Sequence, residues 1–292
     1  MSVGDRLALV LLGAIWGGSF LFMRVAVPEF GPIALIGLRV VLGMLVLVGL
    51  LAARGEMGQL RGHGLRWVLL GALNTAVPFT LYAWATTPLG AGLPAVLNST
   101  VPLFSALIGG LVLGELLSRQ RWLGLFLGFA GVIVLVYPKL NFSGGREQAL
   151  GVAAGLAAAL LYALAAHYTK RRFNAVPPLV VATGNMLGAT LVILPLVPFA
   201  WPERLPSAPA LGAAVALGVV CTALAYILYF RLIPRIGTTR AISVTYLIPV
   251  FGLLWGRIFL DEALGLRTLI GSAIVLLGTA LVLRAAPGSQ KR

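Results

Sequence analysis

The sequence predicts an all-α integral membrane protein in which ten transmembrane helices form two inverted five-helix repeats around a central cavity. Three observations carry that prediction. The 292 residues are 60% hydrophobic and 10% charged, with a mean hydropathy of +1.00, a composition that no water-facing surface absorbs. Apolar runs of about 20 residues, enough to cross a ~30 Å hydrocarbon core, occur ten times. The second half of the chain also repeats the first at a nearly constant spacing.

The first run, Leu7 to Val27, reads as a retained helix because Trp16 and Phe20 interrupt any small-residue cleavage site and further spans follow. Pro32 to Ala53 is the second, with Arg39 well inside it. Leu65 to Thr86 carries Asn74, Pro78 and Tyr82 at i, i+4 and i+8, on one helical face. Gly92 to Leu113 is interrupted near its middle by Pro102, and Gln120 to Tyr137 is glycine-rich. Ala149 to Thr169 holds Tyr162 and His167, and Pro177 to Ala200 follows it. Pro209 to Phe230 sets Thr222, Tyr226 and Tyr229 at i, i+4 and i+7. Thr238 to Leu260, with Pro249 near its centre, and Leu266 to Arg284 complete the ten. The expected domains are residues 1–137, a periplasmic linker at 138–148 containing Ser143-Gly144-Gly145, and residues 149–292.

The formal charge of +14 suggests a nucleic-acid binder until the bases are placed. Their longest run is Lys170-Arg171-Arg172, and most fall in short connections between apolar segments. With the N-terminus inside, fifteen of the twenty-two bases lie in inside loops and tails, among them Arg54, Arg61, Arg119, Arg121, Arg231 and Arg235. Only Lys139, Arg146, Arg204 and Arg267 lie outside, and Arg24, Arg39 and Arg257 fall within spans. The positive-inside rule then sets both termini in the cytoplasm and the chain in the inner membrane. One cysteine, Cys221, excludes an intramolecular disulfide and any Cys-cluster metal site.

At an offset of 147, Leu70 to Tyr137 aligns without gaps to Leu217 to Arg284. The matches include Thr75/Thr222, Tyr82/Tyr229, Gly90/Gly237, Pro102/Pro249 and Glu115/Glu262. The earlier part of each half aligns at 146, pairing Trp16 with Tyr162 and Arg39 with Asn185. Five helices is an odd number, so the second copy enters the membrane from the opposite side. Inverted repeats of this kind give two near-equivalent gates around a midplane site, the architecture of alternating access.

Each copy ends with a glycine-rich helix, a turn bearing Glu115-x-Leu117 or Glu262-x-Leu264, and a last helix with Gly124 and Gly131 or Gly271 and Gly278. With Trp16-Gly17-Gly18-Ser19-Phe20 and Arg39, the chain resembles the drug/metabolite transporter superfamily, specifically its ten-helix EamA-type bacterial exporters. The resemblance covers nearly the whole chain and identifies scaffold better than cargo. It implies export of amino acids and related metabolites, aromatic ones included.

Several residues are candidates for the work. Pro102, Pro249 and Pro78 withhold the N–H that would bond the carbonyls of Asn98, Thr245 and Asn74, which places backbone and side-chain acceptors at midplane. These prolines mark either a hydrogen-bonding site on flexible helices or static kinks. Inversion puts Tyr82 toward the outside and Tyr229 toward the inside as a pair of aromatic gates. Trp16, Phe20 and Tyr162 add aromatic wall, or else belong to packing or an interfacial belt like Tyr137 and Trp201. Arg39 binds a substrate carboxylate or braces helices. Arg24 and Arg257 snorkel, the latter paired with Asp261 at i+4. Glu115 and Glu262 are expected to fix turns and cap helices rather than relay protons, and His167 is read as interfacial. Small-xxx-small pairs such as Gly124/Gly128 pack helices or form a homodimer face on spans five and ten.

The expected function is secondary export of small organic metabolites, above all amino acids, by alternating access. An exchanger of phosphorylated or nucleotide-sugar metabolites is the alternative on the same scaffold, although no cluster of deep bases waits for phosphate. An intramembrane serine hydrolase using Ser19 and His167 is opposed by topology, which sets them toward opposite ends of their spans. No cofactor, metal or catalytic residue is expected. The partners are a small-molecule substrate and the bilayer, with no nucleic acid, and the protein is either a monomer or a homodimer.

Overall fold

The computed structural model describes residues 1–137, 145–237, 240–241 and 243–284, and these are helical with no strand. The long helical elements are α1 (Val3–Ala53), α2 (Gly64–Leu89), α3 (Gly92–Leu111), α4 (Arg119–Val136), α5 (Gly145–Arg172), α6 (Pro178–Ala200), α7 (Ala208–Ile236), α8 (Val244–Leu260) and α9 (Leu266–Arg284). At 1.5 Å per residue the 51 residues of α1 would reach about 77 Å, more than twice the hydrocarbon core. Gly31 resolves this with φ 69° and ψ 161°, outside helical space, between Pro28 and Pro32. The element is therefore two legs that cross separately, giving ten crossings in all. The shortest, α8, has 17 residues and spans about 26 Å.

Contacts near the helix ends establish two faces of the bundle. On one, Arg235 of α7 pairs with Asp5 of α1 at 3.5 Å, and the Trp67 ring stacks on Phe173 at 4.3 Å while its Nε1 donates to the Leu60 carbonyl. This basic face also carries Arg54, Arg61, Arg121 and Lys170. On the opposite face, Arg24 donates to the Thr87 carbonyl at 2.8 Å and the Glu29 carboxylate accepts from the Ser207 N–H and hydroxyl.

The repeat is visible in backbone detail. A π-helical turn occupies Ala72–Ala76 in α2 and recurs at Val219–Leu224 in α7. Positive φ recurs at Gly90 and Gly237, and at Gly114 and Asp261. The Glu115 N–H donates to the Gly109 carbonyl at 2.9 Å, as the Glu262 N–H does to that of Gly256 at 3.1 Å. Every pair is separated by 147 positions, so the two halves share local geometry as well as residue types.

Small residues let the helices touch through their backbones. A Cβ on Gly124 would lie 2.7 Å from the Gly278 carbonyl, and one on Gly131 would lie 2.9 Å from that of Gly271. Those glycines hold α4 against α9 within one chain, so they are already used and do not form a homodimer face. Gly17 brings the first leg of α1 equally close to Ile248 of α8. Large side chains left outside, such as Phe199 at 91% exposure, face lipid.

Some expectations need revision. The helix α5 begins at Gly145, so residues 145–148 form its first turn; residues 138–144 lie outside the described residues, as do Thr238, Thr239, Ile242 and 285–292. Arg257 and Asp261 do not pair. Asp261 terminates α8 in the left-handed conformation (φ 51°), which destroys the i, i+4 phase, and among the described residues the ion pair within 4.0 Å is Arg235 with Asp5. The two central prolines also differ in effect: α3 breaks at Ser99–Thr100 before Pro102, whereas α8 runs through Pro249 unbroken.

Candidate functional site

A cavity of about 550 Å³ lies between α1, α2, α3, α5, α7, α8 and the end of α9, within the size range of small-molecule sites. Trp16, Phe20, Arg39, Asn74, Tyr82, Asn98, Pro102, Tyr162, Tyr226, Tyr229 and Thr245 line it. Pro78, Thr222 and Pro249 do not. Their places on the wall belong to Phe79 and Ile248, together with Ser19, Met23, Val101, Ser105, Ala166 and Leu283, which the sequence did not single out. For Pro78 and Thr222 the reason is the π-helical turn in their helices. An extra residue in the turn rotates everything beyond it by about 100°, so a face counted at i, i+4, i+7 is not continuous through it.

Arg39 is the one charged side chain on this wall. It is 4% exposed, its Nε donates to Thr222 Oγ1 at 3.0 Å, and its guanidinium carbon stands 3.8 Å above the centre of the Phe79 ring. A charge at membrane depth costs about 3 kcal/mol, and the ring face returns roughly 0.5–2 kcal/mol of that. Thr222 in turn donates to the Leu217 carbonyl five residues back, a bond that belongs to the π-helical turn. No carboxylate opposes Arg39 among the described residues.

The equivalent contact exists in the other half. Asn185 Nδ2 donates to Thr75 Oγ1 at 2.8 Å, and Thr75 sits on the π-helical turn of α2 as Thr222 does on that of α7. The two bonds cross between the halves at matching positions, with a cation in one and a neutral amide in the other. Charge in the cavity is therefore one-sided although the scaffold is symmetric.

Aromatic rings divide the wall into two groups. Tyr82 meets Phe20 edge-on at 5.5 Å and lies over Tyr162 at 6.0 Å, with Tyr162 reaching Phe79 at 6.4 Å. Trp16 contacts Tyr229 at 5.4 Å and Tyr226 at 6.4 Å. The hydroxyl of Tyr82 is buried without a hydrogen-bond partner in the protein. Unpartnered hydroxyls on a cavity wall are donors available to a bound molecule.

Glu262 accepts from the N–H groups of Ala91 at 2.6 Å and Gly92 at 3.1 Å, at the start of α3. It caps a helix of the other half, not the helix that follows it. Gly90 (φ 78°) must be glycine here, since a Cβ would lie 2.5 Å from Glu262 Oε1. This contact ties the start of α3 to the residues that follow α8, at the face opposite the basic one. Glu115, its counterpart, is exposed and lines a smaller cavity of about 270 Å³ at the basic face. His167 contacts Ser105 and not Ser19.

Ten crossings in two repeats around a central cavity are the architecture of a multi-pass membrane transporter. The chain belongs to the EamA-like transporter family, which matches it twice, over residues 6–137 and 149–284. It is 26% identical to a probable amino-acid metabolite efflux pump of Escherichia coli (strain K12), over 95% of this chain and 94% of that protein. It is likewise 26% identical to a probable terminal-alkyne amino-acid exporter of Streptantibioticus cattleyicolor, over 97% and 95%. A solved crystal structure aligns with a TM-score of 0.66 at 23% identity, covering 97% of this chain and 98% of that one, and shares the fold.

Proposed function

We propose that this protein exports small organic carboxylates, amino acids with apolar or aromatic side chains foremost, from the cytoplasm across the inner membrane by alternating access. The observation that carries this reading is Arg39, a cation on the wall of an aromatic cavity with no carboxylate opposite it among the described residues. A substrate carboxylate completes that charge, and the rings around it take an apolar side chain by contact area. One cation suits a single carboxylate better than a phosphoryl group. The names of the two relatives, an efflux pump for amino-acid metabolites and an amino-acid exporter, support the same class. With both termini in the cytoplasm, as the distribution of bases argues, the conformer described here opens to the cytoplasm and is sealed on the other side by Glu262.

Counterflow in proteoliposomes tests the reading. Vesicles loaded with an unlabelled amino acid are expected to take up the labelled compound faster than protein-free vesicles, with phenylalanine or leucine ahead of sugar phosphates. Counterflow by sugar phosphates alone, or by no member of the panel, overturns it.

A further inference from the structure

Pro102, Ser105, Ala166 and Leu283 line both the central cavity and the smaller one, which continues to the basic face past Glu115, Arg121, His167 and Lys170. His167 stands at that junction. Its Nε2 lies 3.0 Å from the Ser105 carbonyl and 3.1 Å from Ser105 Oγ. In the tautomer in which Nε2 carries the hydrogen, it donates to the Ser105 carbonyl and leaves Nδ1 as the basic nitrogen.

Ser105 belongs to Val101–Leu111, the half of α3 beyond its break, so the imidazole ties a separately hinged half-helix to α5. The central cavity has no carboxylate to carry protons among its lining residues. We propose that His167 is the proton-binding site through which a proton gradient drives the gate at the basic face, an inference that rests on the transport reading above. In an open, water-filled passage an imidazolium is solvated; in a closed one it is desolvated beside Lys170 and Arg121, with Glu115 the one carboxylate lining the same cavity. Protonation at Nδ1 therefore favours the passage open to the basic face, and loss of that proton permits closure.

The test reads conformation without substrate. Full-length protein in a Cys221→Ser background receives spin labels at exposed Leu116→Cys and Asn174→Cys, which flank the passage. Distances are measured in phosphatidylethanolamine/phosphatidylglycerol vesicles at pH 5.5 and 8.0, a window that brackets imidazole titration in general. The expected result is a longer-distance population that grows at pH 5.5 when His167 is present, is lost in His167→Gln, and is constitutive at both pH values in His167→Arg. A pH-invariant distance in the presence of His167, or a shift that survives His167→Gln, overturns the proposal. Counterflow without a gradient decides the exporter reading separately: if it fails for every compound while the shift follows His167, the reading falls and the proton site stands.

Discussion

Arg39 concentrates the chemistry of this protein in one side chain. The basis is that Nε is spent on Thr222 while the guanidinium still borders the cavity. Replacing Arg39 with Gln removes a charge-assisted hydrogen bond to a carboxylate, which contributes about 1.5–3 kcal/mol, or roughly 10- to 150-fold in affinity. The expected outcome is a loss of that size in amino-acid binding, measured by competition in detergent or vesicles, with much less change for a des-carboxy amine. Arg39→Lys keeps the charge and loses the geometry of the Thr222 bond, so an intermediate loss is expected. An arginine inside an apolar run was legible in the sequence because such a residue is expensive and rare. Thr222 was legible as polar but not as the partner that aims Arg39, because the bond joins positions 183 residues apart.

At the level of helices, the glycine faces separate tight contacts from open ones. A side chain on Gly278 meets the Gly124 carbonyl, with a built Cβ at 2.6 Å, and that atom belongs to backbone that cannot swing aside. Gly278→Val should cost about 1–3 kcal/mol by overpacking and lower the melting temperature, whereas Gly49→Ala, exposed and with nothing within 4 Å, should leave it unchanged or slightly raised. Thermal melts in one detergent compare the two. The repeat spacing announced matched prolines in α3 and α8, yet the turn preceding α8 falls at Ser243, six residues before Pro249, whereas α3 breaks at Ser99–Thr100, just before Pro102. Hydrogen bonding reinforces that break: Ser99 and Thr100 hydroxyls bond carbonyls three residues back, and Thr279 donates to the Ser99 carbonyl from α9. At the positions of Ser99 and Thr100 the second half has Tyr246 and Leu247, which offer no such hydroxyl caps.

Over the whole molecule, the two halves share a scaffold but differ in the contacts made at its two faces. Glu262 holds the N–H groups of Ala91 and Gly92 at one face, while Glu115 stands exposed at the other. The distribution of bases predicts the orientation of the chain: a C-terminal fusion should give a fluorescent green reporter and an inactive alkaline phosphatase, and the reverse pattern would reverse the assignment of both termini.

The sequence by itself determined that this is a multi-pass helical membrane protein built on an internal repeat, and it marked most of the polar and aromatic residues that border the cavity. Those features follow from bilayer thickness, from the cost of polar groups in hydrocarbon and from residue identity at a fixed spacing, all of which are written locally along the chain. Only the tertiary structure decided that Arg39 leans on Thr222, that Glu262 caps α3, that α4 and α9 consume their glycines on each other, and that His167 meets Ser105. Each of these depends on how helices distant in sequence are rotated about their axes. One extra residue in a π-helical turn changes that rotation while leaving hydropathy and spacing untouched.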